Sequence, residues 1–151
     1  MDREEVSALV DTAIARVIDV ERELLDRNVS ERALTHHLAR FLREGVPHPF
    51  VVDVEYNRHV DDPKRLRLPR RRAADDEVHA TTVFPDIIVH VRGTDDHNLL
   101  VLEVKKPGGD LEYDERKLRA FRQELHYRHA AHVILGHNAN EETIQEVIWV
   151  D

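Results

Sequence analysis

The chain has 151 residues, a formal net charge of −8 and no cysteine, with 41% apolar and 34% charged residues. That size holds one domain, residues 1–151, with a single core, and the missing cysteines remove disulfides, thiolate metal sites and cysteine nucleophiles. No run of about eighteen apolar residues spans a membrane, the Met1-Asp2-Arg3-Glu4-Glu5 start lacks a signal-peptide core, and the net acidity argues against a protein that coats nucleic acid nonspecifically. A cytoplasmic protein with no membrane partner is expected.

Residues 4–27 place Val6, Val10, Ala13, Val17, Val20 and Leu24 at alternating spacings of four and three, the pattern of one amphipathic helix. Ile14, Ile18 and Leu25 widen the stripe, so residues 1–28 are expected to pack on the domain body or on a second copy of the chain. Asn28-Val29-Ser30-Glu31 caps a second helix, with Leu34, Leu38, Phe41 and Leu42 inward and Gly45, Pro47 and Pro49 at its end. Phe50 to Tyr56 reads as a strand with Asp53 and Glu55 on one face and Val52, Val54 and Tyr56 on the other.

Residues 57–80 show no clear periodicity and form a long excursion. Within it Lys64, Arg65, Arg67, Arg70, Arg71 and Arg72 put six positive charges into nine positions. Such a strip either holds phosphates or is a solvated loop balancing Asp61, Asp62, Asp75, Asp76 and Glu77.

Phe84 to Val91 and Asn98 to Lys105 read as two strands around the turn-forming Arg92-Gly93-Thr94-Asp95-Asp96-His97. Symmetric closure sets Val91 opposite Asn98 and Asp86 opposite Glu103. Cβ atoms of opposed residues lie about 5 Å apart, where two carboxylates repel by roughly 3 kcal/mol at an effective dielectric near 20. The pair therefore needs a cation, either Lys105, two residues along on the same face, or a divalent metal. The alternative is a register shifted by one, or two water-exposed acids. Beyond Lys106-Pro107-Gly108-Gly109, Asp114 is expected to cap a helix over 115–128 with Leu118, Phe121 and Leu125 inward. A buried strand over 130–136, a helical turn over 141–145 and a last strand over 146–150 complete the chain.

Pro85-Asp86, the seventeen-residue step to Glu103 and the run Glu103-Val104-Lys105 resemble the signature of the PD-(D/E)XK nuclease superfamily. The resemblance covers residues 30–136. It extends to uncharacterised bacterial members through Val52 to Arg58, Pro85 to His90 and Asn98 to Lys106. It implies an α/β restriction endonuclease-like core of helix, three strands, helix and strand, the order read above, with a mixed central sheet flanked by helices and an extra N-terminal helix.

The implied activity is phosphodiester hydrolysis of nucleic acid, DNA by resemblance, with Mg²⁺ or Mn²⁺ as cofactor and endonuclease rather than exonuclease action. Asp86, Glu103 and the carbonyl of Val104 would hold the ion, and Lys105 would position the attacking water. Glu31 matches an acidic position that reaches the metal in many members; otherwise it complements the helix dipole. Glu55 is a further acid beside the site, or a solvated strand residue or ion-pair partner. Gln123 and Tyr127 reproduce a Gln-x-x-x-Tyr spacing of exonuclease branches, one turn apart toward a phosphate, or Tyr127 caps the core. The eleven histidines show no metalloprotease spacing. The rival reading is a catalytically silent module that keeps the fold and binds nucleic acid or protein, and a third makes the chain a subunit of a larger defence or repair assembly that docks or dimerises through the first helix.

Overall fold

A computed structural model describes residues 1–56, 65–69 and 78–151, without the side chains of 65–69 and 78–82. The helices are α1 (Arg3–Val20), α2 (Arg22–Asp26), α3 (Glu31–Gly45) and α4 (Glu112–Leu125). The strands are β1 (Val51–Val54), β2 (Arg65–Pro69), β3 (Val78–Thr82), β4 (Ile87–His90), β5 (Leu100–Lys105), β6 (His129–His137) and β7 (Thr143–Val150). The fold is α/β: a five-stranded mixed sheet of order β1-β4-β5-β6-β7, with β2 and β3 paired as a separate ribbon. All neighbours run antiparallel except β5 and β6. A parallel pair cannot be joined by a tight turn, and α4 supplies the crossover.

Period-two alternation divides the core between the two faces of the sheet. Ile87, Val89, Leu100, Leu102, Val104 and Val133 pack with the apolar stripes of α1 and α3. Ile88, Val101 and Ala130 pack with Leu118, Phe121 and Leu125 of α4. On α1 the buried residues are Val6, Val10, Ala13, Ile14 and Val17. The first helix thus packs on its own domain body, and its stripe is taken up there.

The elements depart from the sequence reading at five places. The expected single helix over 4–27 breaks at Glu21, whose carboxylate accepts from Arg40 of α3 at 2.8 Å; Val20 consequently faces outward, 51% exposed. The 57–80 excursion contains regular structure, the β2–β3 ribbon, for which Arg65-Leu66-Arg67-Leu68 carries a period-two pattern. Helix α4 begins at Glu112, where Asp110 accepts the Glu112 N–H at 2.9 Å, so Asp114 is a buried first-turn residue and not a cap. The same helix stops at Leu125 because His126 turns left-handed, with φ 56°. Residues 141–145 form no helical turn: the Asn138 side chain accepts from Asn140 and Glu142 N–H groups, Glu141 takes φ 60°, and the chain turns straight into β7.

Candidate active site

Cross-strand register is the first determinant of the site. Ile87 pairs with Leu102, Ile88 with Val101 and Val89 with Leu100, so Asp86, one step beyond the end of β4, falls opposite Glu103 as symmetric closure requires. The Val104 N–H donates to Asp86 Oδ2 at 2.8 Å, holding that carboxylate against β5. N–H and C=O of one strand residue point to the same edge, so the Val104 carbonyl is also directed toward Asp86, where β4 has ended. Alternation puts Glu103 and Lys105 on the face covered by α4.

These groups border a cavity of about 420 Å³ between the first turns of α3 and α4, the end of β1 and the end of β5. Asp86, Glu103, Val104, Lys105, Glu31 and Glu55 all line it, together with Arg32, His36, Asp114 and Lys117. Glu31 reaches it from α3, whose first turn is fixed by the Ser30 hydroxyl accepting from the Ala33 N–H. Its carboxylate accepts the Lys106 N–H at 2.8 Å. Glu55 leaves the alternation of β1 through φ 48°. It therefore does not share a face with Asp53: Glu55 pairs with Arg32 at the cavity rim at 3.3 Å, and Asp53 accepts from Arg92 and pairs with His90 at 2.9 Å.

The cation beside Glu103 comes from α4. Lys117 Nζ stands 2.8 Å from Glu103 Oε2 and 3.7 Å from Asp114 Oδ1, while Lys105 Nζ is 2.8 Å from Asp114 Oδ2. Lysine and carboxylate thus alternate through Glu103, Lys117, Asp114 and Lys105. Neither Asp114 nor Lys117 had been singled out for chemistry. The signal is present, since Asp114, Lys117, Leu118, Phe121 and Leu125 follow the three-and-four spacing of an inward face, but the sequence reading takes Asp114 for a cap and leaves Lys117 unassigned.

Burial sets the electrostatics. It pushes the Glu103 carboxyl up to about 8, with the Asp86 charge adding to the rise and Lys117 opposing it. Asp86 is raised as well, by burial, against the Val104 N–H and Lys117. Burial pulls both lysines down, but the surrounding carboxylates together more than offset this, Asp114 foremost for Lys105 and Glu103 foremost for Lys117, leaving each above its ordinary value.

Among the described residues no three His, Asp or Glu side chains stand together as an ion cage. Glu103 Oε1 is nevertheless buried, and the Glu103 carboxyl hydrogen-bonds to that of Asp86, so the two acids share one site. Two carboxylates and a carbonyl form an all-oxygen donor set that suits a hard divalent ion retaining several waters. The residues fit Mg²⁺ or Mn²⁺.

Other expected binding residues lie elsewhere. Tyr127 is buried, its ring 5.6 Å from that of Phe121, so it caps the core; Gln123 is exposed on α4. Lys64, Arg70, Arg71 and Arg72 lie outside the described residues; Arg65 and Arg67 belong to β2. His132 is buried on β6 and His129 sits against Trp149. No protein-family model, curated protein or solved structure matches the chain.

Proposed function

We propose that this chain is a divalent-metal-dependent nuclease with a restriction endonuclease-like core of the PD-(D/E)XK kind, cutting nucleic acid and DNA in particular. The observation that carries the reading is the convergence of Asp86, Glu103 and Lys105 on one cavity, with the Asp86 and Glu103 carboxyls in direct contact. Asp86, Glu103 and the Val104 carbonyl would hold the ion. When bound, Mg²⁺ or Mn²⁺ supplies polarisation of the scissile phosphate and a lowered pKa for the attacking water.

The chain's own residues do the rest. Asp86 is held on β5 by the Val104 N–H, so the ligand set is preorganised. Lys105, at the end of β5, offers an ammonium to the water and to charge developing on the phosphate. Arg32, with its side chain 85% exposed at the rim, meets the approaching phosphate backbone. Glu31 ties α3 to the β5 exit and adds negative charge for a cation.

The ion pairs from Glu103 through Asp114 to Lys105 favour one rival: a silent module that binds nucleic acid or protein, alone or in a larger assembly. Cleavage of linear and circular, single- and double-stranded DNA by wild-type and Lys105→Ala protein, in Mg²⁺, Mn²⁺ or EDTA, separates the two. Metal-dependent cutting lost in the variant is expected. A folded wild type that binds metal and leaves all four substrates intact would overturn the nuclease reading and favour the module.

A further inference from the structure

Glu103 has two oxygens in unlike surroundings. Oε2 is ion-paired to Lys117 at 2.8 Å, whereas Oε1 is fully buried and the same carboxyl also bonds to Asp86. Lys117 is itself nearly buried, its side chain 11% exposed, and it borders the cavity. An ammonium of this placement offsets one of the two negative charges that a divalent ion would neutralise together. A divalent ion on Glu103 would stand at ion-pair distance from that ammonium, and like charges so close inside a protein repel strongly.

Lys117 has somewhere else to go. Asp114 Oδ1 lies 3.7 Å from its Nζ, one helical turn away on α4, so a small rotation of the side chain completes that pair. Resting on the metal-dependent reading above, we propose that Lys117 is the resident counter-ion of Glu103 in the metal-free protein, and that it is exchanged for the divalent ion and handed to Asp114 when the site fills. Asp114 then serves two lysines, Lys117 through Oδ1 and Lys105 through Oδ2 at 2.8 Å.

The test follows the lysine ammonium resonances of the ¹⁵N-lysine-labelled full chain during Mg²⁺ titration, with Mn²⁺ affinity measured by calorimetry at pH 8.5 for wild type and Lys117→Met. The expected results are a shift or loss of the Lys117 ammonium signal that saturates with the ion, and Mn²⁺ binding tightened about tenfold or more in the variant, because one competing charge is gone. If Lys117→Met does not fold, the wild-type titration decides alone. Ion binding with the Lys117 signal unmoved, or a folded variant with unchanged or weaker Mn²⁺ affinity, overturns the exchange and leaves the nuclease reading standing. Absence of ion binding to the folded wild type overturns both.

Discussion

Glu31 Oε2 accepts the backbone N–H of Lys106 at 2.8 Å, across 75 residues of chain. That bond joins the first turn of α3 to the residue at which β5 leaves the sheet, and so sets the width of the cavity between them. Truncation by Glu31→Ala leaves a part-buried N–H unpaired and should cost about 1–3 kcal/mol, read as a lowered urea midpoint. Glu31→Gln keeps an acceptor and should lose less than half as much. Equal losses for the two variants would show that charge, and not the hydrogen bond, is what Glu31 contributes.

Stability of the metal-free protein should fall as pH rises from 6.5 to 8. The folded state holds the Glu103 proton up to about 8, whereas the unfolded chain releases it near 4.5. Between those values the folded state binds more protons, so raising the pH favours unfolding, at about 1.4 kcal/mol per pH unit for one proton. Burial lowers His129 and His132, which gives the opposite slope, confined to pH below about 6.5. Lys105 and Lys117, both raised, lose their contribution only above about 10.5. Urea unfolding in EDTA across the window measures the slope, and Glu103→Gln should flatten it; an unchanged slope would place the proton elsewhere.

Lys105→Met should reduce single-turnover DNA cleavage by about 10²–10⁴-fold, the usual worth of a group that assists proton transfer. Mn²⁺ affinity measured by calorimetry should stay within about threefold of wild type, since the Lys105 ammonium is ion-paired to Asp114 and not to Asp86 or Glu103. Loss of metal binding in step with cleavage would make Lys105 part of the ion site's framework.

Gly136 sits in β6 with φ 149°, and a Cβ there would lie 3.0 Å from Pro107 Cδ. Gly136→Ala strains the strand and pushes on the loop that follows β5. The expected cost is about 1–3 kcal/mol, seen as a lower denaturation midpoint with cleavage per folded molecule retained. A neutral or stabilising result would mean that the loop yields freely.

Much of this molecule is written in local pattern. Helical spacing places the inward faces of α1, α3 and α4 on Val10, Leu38 and Phe121, each at most 5% exposed. The turn between β4 and β5, with its apolar flanks, determines that Asp86 opposes Glu103, because a hairpin's register follows from its loop. Those features depend on residues close in sequence, where periodicity and turn chemistry act. What only the tertiary structure decided is which cation meets the carboxylates. Lys105 shares a face with Glu103, but α4 packs across that face and brings Lys117 to Glu103 and Asp114 to Lys105. No spacing within a strand or a helix encodes that pairing. It is set by where a crossover helix lands on the sheet, and by the large desolvation cost that compels each buried charge to find a partner there.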